Sequence, residues 1–194
     1  SFGGAAGVSR MEGDVVDRAS RYETDLSHAA GYFGYDDGQW AADVTASVFG
    51  GEADTRRTVT VGAFSGVALG DTHAEGQAIA ASVARRFHFE GDATVALGMI
   101  GTLSNASVDG FTETGAGALS LTVAGLERDW QTLNISARAS QPYRVNGRTM
   151  KVYGGMGVLL TTGDREATGD MRFSGAPTGF GTFTIEGAET PPVA

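Results

Sequence analysis

Gln39-Trp40-Ala41-Ala42-Asp43-Val44-Thr45-Ala46-Ser47-Val48 decides the fold. On an extended chain successive side chains point to opposite faces. Trp40, Ala42, Val44, Ala46 and Val48 therefore share one side, and Gln39, Asp43, Thr45 and Ser47 the other. The segment reads as a strand with one apolar and one polar surface. The same rhythm recurs along the chain. A strand over 77–89 groups Ile79, Ala81, Val83, Phe87 and Phe89. One over 93–103 sets Val95, Leu97, Met99 and Leu103 against Thr94, Ala96, Gly98 and Thr102. One over 129–141 sets Leu133, Ile135, Ala137 and Ala139 against Thr132, Asn134, Ser136 and Arg138. Met150, Val152, Met156, Val158 and Leu160 then share a face opposite Lys151 and Tyr153. Further strands are expected over 2–11 and 25–35, with one or two more in 171–185, about eight in all.

The connections are unequal. Asp36-Asp37-Gly38, Glu90-Gly91-Asp92 and Asn146-Gly147 are tight-turn sequences, the last the strongest hairpin signal of the three. The stretches 12–23, 50–76, 105–128 and 161–170 read as polar and as loops, although Leu119, Leu121 and Val123 suit a strand extension. Aromatic residues gather beside the short turns: Tyr32, Phe33, Tyr35 and Trp40 at one, Phe87 and Phe89 at the next, Tyr143 near the third. Amphipathic rings favour the headgroup zone, which makes Tyr32, Tyr35, Trp40, Phe87, Phe89 and Tyr143 candidate interface aromatics. Short turns on one side and long loops on the other match the two ends of an outer-membrane barrel. The expected fold is all-β: an antiparallel up-and-down meander forming a transmembrane β-barrel, apolar toward lipid and polar toward the lumen.

Composition supports this and removes alternatives. Thirty glycines and four prolines in 194 residues disfavour helices and suit strands and turns. A formal charge of -9 argues against a nucleic-acid partner. With no cysteine there is no disulfide framework, thiolate nucleophile or cysteine metal site. No window is apolar for long enough to make a membrane helix, a test blind to membrane strands. The chain suits one domain over 1–194. Its start at Ser1 without a leader is expected of a processed chain or a fragment.

Gly110-Phe111-Thr112-Glu113-Thr114-Gly115-Ala116-Gly117-Ala118-Leu119-Ser120-Leu121 resembles the GFTETGAGAL-type stretch of the autotransporter β-domain, the translocator of type V secretion. Three further segments fall in that family's order. His28 to Tyr35 resembles its early glycine-rich strand, and Trp40 to Arg57 the following strand with a DTRR-type end. Gly169 to Gly187 resembles its late FxGAP and FTVxG segment, through Phe173-Ser174-Gly175-Ala176-Pro177 and Phe183-Thr184-Ile185-Glu186-Gly187. The resemblance implies a bacterial outer-membrane barrel of about twelve strands, with a passenger linker threading the lumen as a helix. With about eight strands and no C-terminal aromatic, the sequence reads as an incomplete translocator. The partners implied are outer-membrane lipid, an N-terminal passenger with its linker helix, and the barrel-assembly machinery.

No motif points to catalysis. His28, His73 and His88 lack metal-ligand spacing, and there is no nucleophile elbow or phosphate loop. No enzyme activity and no cofactor are expected. Arg56, Arg57, Glu113, Arg138 and Lys151 are candidate lumen or rim charges, which in the family line the pore and contact the linker; the alternative is plain solvation of a polar face. Arg85 stands where the family favours an outward aromatic. The alternative to a membrane barrel is a soluble antiparallel β-sheet binding or structural module. There Trp40, Val44, Val95, Leu97, Val152 and Val158 would face a common interior.

Overall fold

The computed structural model describes residues 1–15, 20–164, 166, 168–177 and 179–186. Eleven strands follow in chain order: β1 (Phe2–Val15), β2 (Ser20–Asp36), β3 (Trp40–Val61), β4 (Phe64–His88), β5 (Thr94–Val108), β6 (Phe111–Thr112), β7 (Leu121–Val123), β8 (Leu126–Val145), β9 (Arg148–Gly163), β10 (Thr168–Phe173) and β11 (Thr182–Glu186). Among the described residues there is no α-helix. Seven long strands make one antiparallel sheet, ordered β1-β2-β3-β4-β5-β8-β9. The four short ones make a second, ordered β11-β10-β7-β6. The main sheet is an open meander whose edges, β1 and β9, are not paired to each other. Seven strands thus stand where about eight are expected, and 171–185 contributes its strands to the small sheet instead. The terminal stretch 189–194, with its two prolines, lies outside the described residues.

Register carries the apolar alternation across the sheet. Trp40 faces Arg85, Ala42 faces Val83, Val44 faces Ala81 and Ala46 faces Ile79. Val83 then faces Met99, Met99 faces Ile135 and Ile135 faces Val158. Residues directly opposite in a ladder lie on one face, so these side chains, Arg85 excepted, form a continuous apolar band. On β3 the band runs nine residues, Trp40 to Val48, the length with which a tilted strand crosses hydrocarbon.

The main correction concerns the expected loop over 50–76. It is a hairpin: β3 continues to Val61, β4 begins at Phe64, and only Gly62 and Ala63 connect them. Pairing persists through Asp54↔Asp71 and Arg57↔Ala68 to Val61↔Phe64. Above Val48 the band face carries Glu52, Asp54 and Arg56 and the opposite face Ala53 and Thr55, so the apolar alternation fades while the backbone ladder goes on. The 22 residues of β3 reach about 75 Å at ~3.4 Å each, well beyond a bilayer core of ~30 Å. The stretch 12–23 is shortened in the same way, because β1 runs on to Val15 and β2 begins at Ser20. There Arg10 pairs with Asp25 and Glu23, and Arg21 with Glu12. These exposed pairs set register more than stability.

Tight turns close the other end. Asn146 and Gly147 have φ 49° and 76°, the left-handed pair of a type I′ hairpin between β8 and β9. At the β2–β3 turn, the Oδ1 of Asp37 accepts from the backbone N–H of Trp40 at 2.7 Å and of Gln39 at 2.9 Å. Tyr35 Oη donates to its Oδ2 at 3.0 Å. The Trp40 N–H first, then the Tyr35 hydroxyl and the Gln39 N–H, hold the Asp37 carboxyl below its ordinary value of 3.8. A depressed carboxyl stabilises the fold above its unfolded value and loses that contribution as pH falls through the folded one. Asp37→Ala is therefore expected to lower hairpin stability at pH 7, with the gap to the parent closing as pH drops below 3.8. Denaturant melts of both proteins between pH 7 and 3 check it; a gap independent of pH removes the carboxylate from the account.

Candidate functional site

Two features of the fold can serve a function. One is the apolar band; the other is a buried cluster where the β3–β4 hairpin rises above it. β4 outlasts its neighbour, because β5 ends at Val108 opposite Ala74. Residues 64–73 thus present a free edge, and unpaired edges solicit partners. The chain following β5 covers this edge. Asp109 N–H donates to His73 O at 2.9 Å. Thr114 and Leu69 exchange both backbone bonds, at 2.7 and 2.9 Å.

Alignment along that edge turns Glu113 toward the hairpin. Arg57 holds it in a forked pair, Nε to Oε1 at 3.1 Å and a terminal guanidinium nitrogen to Oε2 at 2.5 Å. The Leu121 N–H adds a bond to Oε2 at 2.7 Å, and Arg57 also donates to Leu119 O at 3.2 Å. Glu113 is 6% and Arg57 27% exposed at the side chain. Val59 and Ala68 from the hairpin and Ala116 from the segment form the apolar core beside it, with Leu119 packed against them. The FSGAP stretch joins them: Ser174 N–H donates to Ser120 O at 2.8 Å and Gly175 N–H to Ala118 O at 3.1 Å. Phe173 stacks at a tilt on Phe183, centroids 5.7 Å apart. Three stretches far apart in sequence, ending at Arg57, around Glu113 and around Ser174, therefore meet at one place. The expected loop over 105–128 is in fact this docked segment, with β6, a short 3-10 turn over Gly117–Leu119, and β7.

The five candidate charges separate. Arg57 and Glu113 come together. Arg56, the next residue on an extended strand, points to the other face, lining a cleft with Arg21, Glu23, Asp54 and Asp71. Arg138 and Lys151 lie on the face opposite the band: Arg138 opposes Gly155, and Lys151 sits 5.7 Å from the Tyr153 ring. Of the candidate aromatics, Tyr35, Trp40, Phe87 and Tyr143 lie on the band face by register. Phe89 follows β4 and is exposed. Tyr32 lies on the opposite face, its ring stacked on Gly3 so closely that a Cβ there has no room. Ser174 and Gly175, whose backbone N–H groups clamp the cluster, are residues that a search for charged side chains passes over.

Only Val59, Ala68, Ala116 and Leu121 are buried hydrophobics among the described residues, while Val44, Ile79, Leu97, Met99, Ile135 and Val158 stand exposed. Water-soluble monomers rarely expose so extended an apolar face. The six residues that a soluble module needs inside lie on this single uncovered face. An apolar band of membrane height on long antiparallel strands, with a polar and small-residue reverse face, defines the wall of an outer-membrane type of β-barrel.

The comparison with protein families agrees. The model of the family described as Autotransporter beta-domain matches residues 1–192, and the chain belongs to that family. Its members are outer-membrane translocator barrels, transport domains rather than catalysts. No match is found among the curated proteins.

Proposed function

We propose that this chain inserts into the bacterial outer membrane as the translocator of an autotransporter and assists export of an N-terminal passenger to the cell surface. The observation that carries the reading is the exposed apolar band, nine residues high on β3, in a chain of this family. The partners are outer-membrane lipid at the band, the passenger and its linker helix at the reverse face, and the barrel-assembly machinery during insertion. The reverse face suits a linker: β4 presents Ala78, Ala80, Ser82 and Ala84 there, small side chains that leave room, while Arg138 and Lys151 supply charge. Assembly and passenger folding supply the driving force.

Refolding with outer-membrane lipid or detergent tests the reading. An unboiled sample is expected to run apart from a boiled one and to show a β-type circular dichroism spectrum. Cooperative folding in plain buffer, with no heat-dependent shift, sinks it.

A further inference from the structure

Arg85 is an anomaly in the band. By register it shares a face with Trp40 and Leu97. On β3 from Trp40 to Val48, on β5 from Val95 to Leu103 and on β8 from Leu133 to Ala139, every position of that face is uncharged. On β4 the same face presents Ile79, Ala81, Val83, Arg85 and Phe87. A cation at mid-membrane is heavily penalised on a lipid-facing barrel surface, whereas near the interface the penalty is close to nothing. Arg85 lies at the level where β3 begins, beside the short turns.

Its surroundings hold the cation without neutralising it. The guanidinium carbon is 5.2 Å from the Trp40 ring centroid and 4.9 Å from that of Phe87. Ring faces attract the charge but accept none of its in-plane N–H bonds. Among the described residues no carboxylate pairs with Arg85. The contrast with its neighbour is direct: Arg86, on the reverse face, is bound to Asp36 at 2.8 Å. Alongside lies a groove of about 250 Å³ lined by Trp40, Val83, Leu97, Met99 and Ile135 as well as Arg85.

We propose that Arg85, held between Trp40 and Phe87, binds the headgroup phosphate of an anionic glycerophospholipid at the short-turn margin of the band, with an acyl chain of that lipid in the adjoining groove. The proposal rests on the membrane reading of the preceding subsection. Charge complementarity identifies the occupant. A guanidinium with free forked donors matches a phosphodiester, and the apolar groove continuing from it matches a chain attached to that phosphodiester. Headgroups with their own ammonium partly neutralise the phosphate internally. The site therefore selects a phosphatidylglycerol-type headgroup over phosphatidylcholine.

The chain has two tryptophans, so Trp130→Phe leaves Trp40 as the single indole emitter. This protein, refolded in detergent, is titrated with lipid mixtures in which either phosphatidylglycerol or phosphatidylcholine carries dibrominated chains, and quenching of Trp40 is read. The expected result is a preference for phosphatidylglycerol of about fivefold, the factor an interfacial ion pair supplies. Arg85→Gln is expected to reduce that ratio to about one, and Arg85→Lys, which keeps the charge without the planar fork, to leave an intermediate value. Quenching with an equal ratio in parent and Arg85→Gln overturns the lipid site and leaves the membrane reading standing. No quenching by either brominated lipid places Trp40 away from lipid, and then both fall.

Discussion

Arg57→Ala is expected to release residues 109–125 from the β3–β4 hairpin. Breaking a buried ion pair by removing one partner costs roughly 3–5 kcal/mol, because the remaining charge stays desolvated. Arg57 is about a quarter exposed and Glu113 keeps the Leu121 N–H, so the low end, about 3 kcal/mol, applies here. The readout is local. Amide exchange at Leu69, Thr114 and Ser174, whose N–H groups make the docking bonds, is expected to quicken about a hundredfold. The amides of Val44 and Ile135 in the band keep their protection. Unchanged exchange at Leu69 and Thr114 removes the pair from its docking role. Glu113→Gln is milder: it keeps an acceptor for Leu121, and the Arg57 head reaches water. The swapped pair Arg57→Glu with Glu113→Arg does not restore docking, since Leu121 N–H then lacks its acceptor.

Gly115→Ala is the second large effect, acting by a different route on the same segment. Gly115 has φ 92°, a backbone region that costs other residues about 1–3 kcal/mol. A Cβ there also collides with the Val67 carbonyl oxygen, which belongs to the β4 backbone and has no side-chain freedom to move aside. Gly115 directly follows Thr114, so relief of the collision pulls on both bonds to Leu69. A loss of about 3 kcal/mol is expected, seen at the same amides. The two substitutions undock one segment. Their double mutant is therefore expected to fall well short of the sum, and full additivity would show that they act on separate elements.

The sequence disclosed the lipid-facing half of the molecule far better than the half above it. Between Trp40 and Val48 burial in hydrocarbon demands alternation, and the strand's facing and the height of the band both follow from it. Between Glu52 and Val61 the contrast passes to the opposite face, where Ala53, Thr55, Arg57 and Val59 are partly or fully buried while Glu52, Asp54, Arg56 and Thr58 stay exposed, and the charges on both faces obscure that pattern. Only the Gly62-Ala63 turn signals a hairpin, and Arg56-Arg57 reads equally well as a loop. The candidate cluster was half legible for the same reason. Arg57 and Glu113 stand out as charges in segments resembling the family, but their meeting depends on the free edge of β4, a long-range feature of strand lengths. Ser174 and Gly175 act through their backbone and leave no side-chain signal of chemistry. Arg85 was visible as an exception in an apolar face; its two aromatic neighbours required the register.

The unpaired edges of the main sheet set a condition on how it enters a membrane. Along each edge, a crossing of about ten residues leaves roughly five N–H and five C=O groups pointing sideways, each costing several kcal/mol in hydrocarbon. β1 and β9 thus behave like two unfilled valences, and the seven-stranded sheet is, toward lipid, a divalent species. It is stable in a bilayer only when those valences are saturated by strand pairing, with each other or with strands from elsewhere. In hydrocarbon, a sheet of this kind is therefore expected to have both outer strands paired.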